Sequence, residues 1–272
     1  MVLQPIGAKP CPTLKWQPRP GALPIWVAVA ERQKQCAEAW WLVAQPDHAA
    51  LSGDLAANFV SPLFPRLTPE IAKAVGAHDA GWSMFPPEAD PNTPPMIADD
   101  WKPRSFMEFP PQDFLRAWTG SIEGAEEICP EGGVMVSRHF CFLGQVRLKQ
   151  QIDAEPEMRL VHEFLDRESR RQERLMKSAD ISRERSNDLL KVVQFCDVLS
   201  LYLCCGATED VEFPTRFGGQ TVKLHRTGDV YVLSPSPFQA EGPVRTVSLG
   251  VPARKHPANG TAELTTLRFF LQ

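Results

Sequence analysis

The sequence predicts an α+β protein that is mainly helical, with a β-hairpin before the helices and an antiparallel sheet after them. Two observations carry this prediction: apolar side chains recur with a helical period through 46–205, and they alternate with polar ones through 206–272. The 272 residues, 43% of them hydrophobic, are enough to bury one sizeable core. We therefore expect a single domain over 1–272.

The chain before the helices divides into two parts. Residues 1–23 contain five prolines and follow neither a helical nor a strand period, so we expect an irregular arm. Apolar runs at 25–30 and 39–44 have the length of strands and predict a β-hairpin over 24–45. We expect this hairpin to join the C-terminal sheet.

The helical core over 46–205 begins with two helices that each place a histidine on an apolar face. The stripe of the first helix consists of His48, Leu51, Leu55 and Phe59. The second helix begins with Thr68 as N-cap and Pro69 at its first position. Its stripe consists of Ile71, Val75, His78 and Trp82.

A proline-rich segment follows. Residues 85–111 contain eight prolines and no regular period, which is long for a loop unless it covers a site, so we treat the segment as a candidate lid. Three further apolar stripes predict helices, and a last helix beginning near Ser182 carries Asp197. After Gly206 the alternating pattern predicts an antiparallel sheet over 206–272.

Composition excludes several classes of function. The formal net charge is −4 and no segment collects basic residues alone, which disfavours a nucleic-acid-binding or polybasic membrane-binding surface. The seven cysteines form no C-x-x-C pair, which favours a reducing, cytoplasmic compartment. We expect a small-molecule substrate and neither a nucleic-acid nor a membrane partner, and we leave the oligomeric state open.

Candidate metal ligands share the apolar helix faces. Asp197 is the only charged side chain in a stretch of fourteen residues, and a buried carboxylate needs a cation, hydrogen bonds or a metal. His48, His78 with Asp79, and His139 come from other predicted helices, and facing helices are where such sites are built. Mixed nitrogen and oxygen donors suit a divalent Fe, Mn, Co, Ni or Zn ion. The alternative is a set of unrelated core histidines with backbone partners.

The order His48, His78-Asp79, His139, Asp197 resembles the H…HD…H…D ligand series of the HD superfamily of metal-dependent phosphohydrolases. This resemblance implies an HD-like helical bundle that holds one or two ions, with Asp79 as the bridge where two are bound. Adjacent residues on a helix diverge by about 100°, so His78 and Asp79 converge only on a metal that lies between their directions.

A second resemblance is carried by short motifs that are spread over almost the whole chain. They include QPDHA with LSG at 45–53, AHD with GW at 77–82, VSRH at 136–139, and CD with LSL at 196–201. They look like those of an uncharacterised bacterial family catalogued as domain of unknown function 3891. The chain departs from that pattern at Ala80 and Ser236, which are not among the proposed ligands. The family name brings no established activity, so function is argued from the site.

A divalent ion on His48, His78, Asp79 and Asp197 lowers the pKa of a bound water and polarises a phosphoryl oxygen, as phosphoester hydrolysis requires. His139 then completes a second ion with Asp79 or serves as a general acid. His139 and Asp79 are therefore the candidate catalytic residues.

Three side chains are candidates for binding the substrate. Arg138 and Arg104 are the cations nearest to the ligands in sequence, and Trp82, with Phe106, is suited to stack on a ring. The alternative is that the arginines are solvated and the aromatic rings belong to the core.

The leading hypothesis is a metal-dependent hydrolase of HD type that acts on a small phosphorylated or nucleotide-like substrate. An HD-fold di-iron oxygenase uses the same ligands, and the identity of the metal separates the two. The third possibility is a non-catalytic ligand-binding protein. Its discriminator is whether the ligands converge, because His48, His78 and Asp197 donor atoms more than about 8 Å apart could not share an ion at bond lengths of roughly 2 Å.

Overall fold

The computed structural model describes residues 2–5, 39–85, 109–151, 153–207, 209–257 and 263–272. Within these residues the helices are α1 (Gln45–Ala57), α2 (Pro69–Gly76), a 3-10 helix (Ala80–Met84), α3 (Pro111–Ile128), α4 (Pro130–Gln150), α5 (Glu155–Ser178) and α6 (Arg183–Cys204). The strands are β1 (Val2–Pro5), β2 (Ala39–Val43), β3 (Val211–Phe217), β4 (Gln220–Thr227), β5 (Val230–Ser234), β6 (Val247–Pro257) and β7 (Glu263–Leu271). The mainly helical α+β class is confirmed.

The strands form one seven-stranded sheet in the order β1-β2-β6-β7-β5-β4-β3. β2 pairs with β6, so N-terminal chain joins the C-terminal sheet as expected. The partner of β2 on its other side is β1, and the expectation that all of 1–23 is irregular is therefore wrong at Val2–Pro5. The run at 25–30 lies outside the described residues, as does most of the candidate lid.

The sheet is mixed and not purely antiparallel. β5 and β7 run parallel to each other, whereas every other neighbouring pair in the sheet is antiparallel. In the sheet, β7 lies between β6 and β5, although β6 follows β5 along the chain. The chain therefore turns back from β6 into β7, and β7 runs in the same direction as β5. Alternation within each strand predicts the strands themselves, but it carries no information about this order.

Helix starts follow the chemistry of their first residues. The Thr68 hydroxyl accepts a hydrogen bond from the Ile71 N–H, and the Ser182 hydroxyl accepts one from the Arg185 N–H. Both caps confirm the predicted starts of α2 and α6. None of the helices in the described part of the chain is long and apolar enough to cross a membrane.

The helix α2 is shorter than predicted. It ends at Gly76, so the expectation that His78 and Trp82 lie on the same helix as Ile71 is wrong. Gly76 is a poor helix former, and the chain turns there before the 3-10 helix that contains Trp82. His78 and Asp79 therefore lie in a turn, where their side chains are free of the divergence that a helix would impose.

Two glycines let the elements around this turn approach closely. A Cβ atom at Gly53 of α1 would lie 2.7 Å from the Gly76 Cα at the end of α2. A Cβ atom at Gly81 would lie 1.9 Å from the Ala117 carbonyl oxygen of α3, and the Gly81 N–H donates to the Ser121 hydroxyl at 2.9 Å. These contacts fix the turn from both sides.

Aromatic side chains pack α6 against the sheet and α3 against α4. The Phe195 ring of α6 lies 5.1 Å from the Phe213 ring and 5.4 Å from the Phe217 ring, both on β3. Between α3 and α4, Trp118 stacks on Phe140 at 4.9 Å. Such pairs add to the free energy gained by burying the rings.

The close contact at Gly53 gives a stability prediction. Gly53→Ala places a methyl group against backbone atoms of α2 that cannot move independently, so we expect a loss of about 1–2 kcal/mol in the free energy of unfolding. Gly124→Ala is the matched control, because nothing lies within 4 Å of a Cβ atom at Gly124 of α3. That substitution should stabilise the protein by about 0.5–1 kcal/mol in urea unfolding. Equal effects of the two changes would contradict the packing described.

Candidate metal centre

Three helices and one turn bring the predicted ligands together. His48 lies in the first turn of α1, His139 in α4 and Asp197 in α6, while His78 and Asp79 follow α2. The three imidazoles are buried, with 1%, 0% and 3% of His48, His78 and His139 exposed. The Asp79 and Asp197 side chains are 12% and 15% exposed, so solvent reaches the cluster on its carboxylate side.

His78 has one ring nitrogen that makes no hydrogen bond with the described residues. Its Nδ1 lies 2.8 Å from the Val75 carbonyl oxygen, which only accepts, so Nδ1 carries a proton. Its Nε2 is fully buried and makes no well-directed hydrogen bond with the described residues. The nearest carboxylate oxygens are Asp197 Oδ1 at 3.4 Å and Asp79 Oδ2 at 4.0 Å. A backbone-held imidazole with a free second nitrogen is a common arrangement of metal-binding histidines.

The two ring nitrogens of His48 lie close to Asp79 and to a serine. Its Nε2 lies 3.0 Å from Asp79 Oδ2, and its Nδ1 lies 3.0 Å from the Ser200 hydroxyl of α6. The His48 and His78 rings stand nearly perpendicular, with centroids 5.2 Å apart. Asp79 Oδ2 therefore lies near the Nε2 atoms of both histidines.

His48, His78 and Asp197 form a group that can hold a metal ion. One donor atom from each lies within 4.8 Å of the other two. Bonds of about 2.0–2.2 Å place donors on one ion up to roughly 4.4 Å apart, so a small contraction is sufficient. The unused His78 Nε2 and the mixture of nitrogen and oxygen donors both fit a divalent cation.

His139 lies at the edge of this group. Its Nε2 is 3.7 Å from Asp197 Oδ2, and its ring centroid is 5.7 Å from that of His78. Its Nδ1 is buried and has no hydrogen-bond partner within the described part of the chain. Asp197 therefore stands between His78 and His139, with one oxygen towards each.

The side chains predicted to bind substrate are placed differently. Arg138 donates to the Ser186 hydroxyl at 2.6 Å and to Asn187 Oδ1 at 2.8 Å, both on α6. Trp82 is 4% exposed and packs on Phe85 at 5.9 Å and on a second phenylalanine, Phe109, at 5.7 Å. The packing of Trp82 is that of a core aromatic residue.

Two of the predicted residues, Arg104 and Phe106, lie outside the described residues. For Arg138, Arg104 and Trp82 a role in binding substrate stays a prediction.

Comparison with protein families supplies an identification. A family model described as "Protein of unknown function (DUF3891)" matches residues 33–252. The chain belongs to this family. The part matched to DUF3891 extends from before β2 into β6, and so includes every candidate ligand. Neither the comparison with curated proteins nor that with solved structures gave a match.

Sequence reasoning missed two buried serines next to the ligands. Ser52 follows His48 by one helical turn, Ser200 follows Asp197 by nearly one turn, and both are fully buried. Both lie within the residues that match the DUF3891 family model. The available signal was a hydroxyl residue three or four positions from a candidate ligand on an otherwise apolar face.

Each carboxylate in the metal-free site is compensated by a histidine. Burial acts to raise the pKa of Asp79 and of Asp197, but the contact of Asp79 with His48, the contact of Asp197 with His78 and the positive charge of His78 lower both pKa values below the usual range. Burial acts to lower the pKa of His78, yet Asp197 and Asp79 raise it to about 9. At neutral pH His78 and the two carboxylates are therefore charged, and an ion that binds His78 Nε2 must displace the proton there.

The other two histidines are neutral at the same pH. Burial lowers the pKa of His48, and it lowers the pKa of His139 to about 4, outweighing the attraction of Asp197. A neutral imidazole has the lone pair that a metal ligand needs.

These charges give a pH-dependent stability for the metal-free protein. The pKa of His78 rises from 6.5 to about 9 on folding, so its contribution is complete below pH 6.5 and is lost as the pH rises through about 9. In the presence of a chelator, wild type should lose more unfolding free energy between pH 6.5 and pH 9 than His78→Gln. Urea unfolding across this range measures the difference. Parallel pH profiles for the two proteins would show that His78 is not the charged partner.

Proposed function

We propose that the protein is a metal-dependent hydrolase of HD type that acts on a small phosphorylated or nucleotide-like substrate. The observation that carries the proposal is the convergence of His48, His78 and Asp197 donor atoms within 4.8 Å, with the His78 Nε2 unused. The ligand order along the chain supports the HD type.

The donor set limits which ions fit. Two imidazole nitrogens and carboxylate oxygens suit Fe, Mn, Co, Ni or Zn and do not favour ions that prefer thiolates. The free cysteines Cys196 and Cys204 are buried in the core, and burial raises the pKa of each thiol well above its usual value. They are therefore poor competitors for the ion.

A divalent ion in this site supplies a water of lowered pKa and polarises the phosphoryl oxygen. Asp79 is placed to hold that water or to bridge a second ion, because its Oδ2 lies 3.0 Å from the His48 Nε2 on the more exposed side of the cluster. Asp197 presents its second oxygen to His139 and so links that residue to the group.

Between the two roles considered for His139, ligand of a second ion is favoured over general acid. A general acid must carry a proton at working pH, whereas burial holds the pKa of His139 at about 4. The neutral ring has a lone pair, and Nε2 already faces Asp197 Oδ2 at 3.7 Å.

Access to the site favours a small substrate. The imidazoles are buried and only 12% and 15% of the Asp79 and Asp197 side chains reach solvent. Such limited exposure favours a terminal phosphate group over the backbone of a folded polymer as the group that reaches the site. The two carboxylate charges also mean that an anionic group binds only when cations have neutralised them.

Metal content and phosphatase activity test the proposal together. Wild type purified without an affinity-metal column should contain stoichiometric metal and hydrolyse nucleoside monophosphates or p-nitrophenyl phosphate with Mn, Co, Ni or Zn. Asp197→Asn should lose both the metal and the activity, because the amide has no negative charge to compensate the positive charge of the ion. The matched control is Asp188→Asn, which lies on the same helix and pairs with Lys191 at the surface. This variant should behave as wild type.

The outcomes separate the three hypotheses. Two irons per chain with an oxygen-dependent spectral change, and no phosphatase activity, would replace the hydrolase by a di-iron oxygenase. Metal lost equally from Asp197→Asn and Asp188→Asn would place the ion elsewhere. Wild type without metal under every condition would leave a non-catalytic ligand-binding protein.

A further inference from the structure

A pair of serines links two of the candidate ligands behind the site. Ser52 of α1 and Ser200 of α6 are both fully buried, and their hydroxyl oxygens lie 2.9 Å apart. Ser200 Oγ also lies 3.0 Å from His48 Nδ1 and 2.8 Å from the Asp197 carbonyl oxygen. One hydroxyl therefore contacts the side chain of one ligand and the backbone of another.

Two arrangements of protons fit these contacts, and the first leaves a lone pair on His48 Nε2. A serine hydroxyl has one proton to donate and two positions that accept. In the first arrangement Ser200 donates to the Asp197 carbonyl oxygen. Ser52 donates to Ser200 at 2.9 Å or to the carbonyl oxygens of His48 and Cys196 at 3.1 and 3.2 Å. With the proton of Ser200 used in this way, the bond to His48 requires that Nδ1 carries a proton and donates to Ser200.

This arrangement of protons determines whether Nε2, the other ring nitrogen of His48, has a lone pair. A neutral imidazole with a proton on Nδ1 has a lone pair on Nε2. That lone pair lies 3.0 Å from Asp79 Oδ2, which is also an acceptor, so the two atoms repel each other unless a cation lies close to both. The free Nε2 of His78 faces the same region, 4.0 Å from Asp79 Oδ2.

Ser200 can also form a hydrogen bond with His48 before an ion binds. When Nε2 of His48 is protonated and donates to Asp79, the Ser200 hydroxyl can rotate and donate to Nδ1. A hydroxyl is both donor and acceptor, whereas a carboxylate in its place would only accept and an ammonium group would only donate. Ser200 can therefore pair with either tautomer of His48.

We propose that Ser200 is a positioning residue for the metal, which holds His48 in the Nδ1-protonated tautomer and directs Nε2 at the ion, with Ser52 orienting the Ser200 hydroxyl. The inference rests on the proposed metal site and adds the contacts that orient one of its ligands. Hydrogen-bond partners of this kind fix the orientation of metal-binding histidines, and their loss typically weakens metal binding by about 10–100-fold.

Zinc affinity and the tautomer of His48 test this role in the full-length chain. Zinc affinity is measured by competition with a chelator for wild type, Ser200→Ala, Ser52→Ala and Ser200→Thr. The tautomer is read from nitrogen NMR of histidine-labelled protein with and without zinc. Ser186→Ala is the matched control, because Ser186 is a fully buried, hydrogen-bonded serine on the same helix whose partner is Arg138.

Ser200→Ala should bind zinc about 10–100-fold more weakly, since the Nδ1 proton is then buried without an acceptor. Ser200→Thr, which keeps the hydroxyl, should recover most of the affinity, and Ser52→Ala should lose less than Ser200→Ala. Zinc should move the His48 proton from Nε2 to Nδ1 in wild type. Ser186→Ala should match wild type in affinity.

Two kinds of failure are distinct. Wild-type affinity in Ser200→Ala, or a zinc-bound His48 with its proton on Nε2, overturns the role of Ser200 and leaves the metal site intact. Loss of affinity in Ser186→Ala equal to that in Ser200→Ala also overturns it, since the effect is then general to buried serines of α6. Failure of wild type to bind zinc or any other tested divalent ion overturns this inference and the proposed function together.

Discussion

The desolvation of Asp79 and Asp197 is the constraint on which the helical part of the molecule depends. Both carboxylates lie mostly out of water, and a charge in that position destabilises a fold unless a cation or hydrogen bonds compensate it. His78 supplies the compensation in the metal-free protein, with its Nε2 3.4 Å from Asp197. Under the proposed function, a divalent ion on His48, His78 and Asp197 would take over this compensation. The contacts that stabilise the fold are therefore made by the same side chains that we propose as metal ligands.

Close backbone contacts make this arrangement possible. Gly53 lets α1 reach the end of α2, and Gly81 lets the turn after Asp79 rest against α3. α6 then brings Asp197 and Ser200 to the same point from the opposite direction, while Phe195 on this helix packs against the sheet. The sheet thus supports the helix that carries two of the site's hydrogen-bonding groups, although it contributes none of the candidate ligands itself.

The sequence was sufficient to predict the mainly helical class, the caps at Thr68 and Ser182, and which residue types gather in the core. It predicted the convergence of His48, His78 and Asp197 because a polar side chain on an apolar face must find partners. It missed the end of α2 although Gly76 marks that end, because the apolar spacing continues through His78 and Trp82 beyond the glycine. It missed β1 and the parallel pairing of β5 with β7 because strand pairing depends on contacts between distant parts of the chain. Ser200 was missed because a small polar residue in a helix gives little indication of its partners.

Anomalous X-ray diffraction from a crystal of the metal-loaded protein tests the central claim most directly. Data collected above and below the absorption edge of the bound ion locate it without reference to activity. The account predicts an anomalous peak within about 2.0–2.3 Å of His48 Nε2, His78 Nε2 and an oxygen of Asp197. It also predicts that the Ser200 hydroxyl stays in contact with His48 Nδ1. A peak that lies elsewhere, or an ion bound without His78 Nε2, would contradict the account.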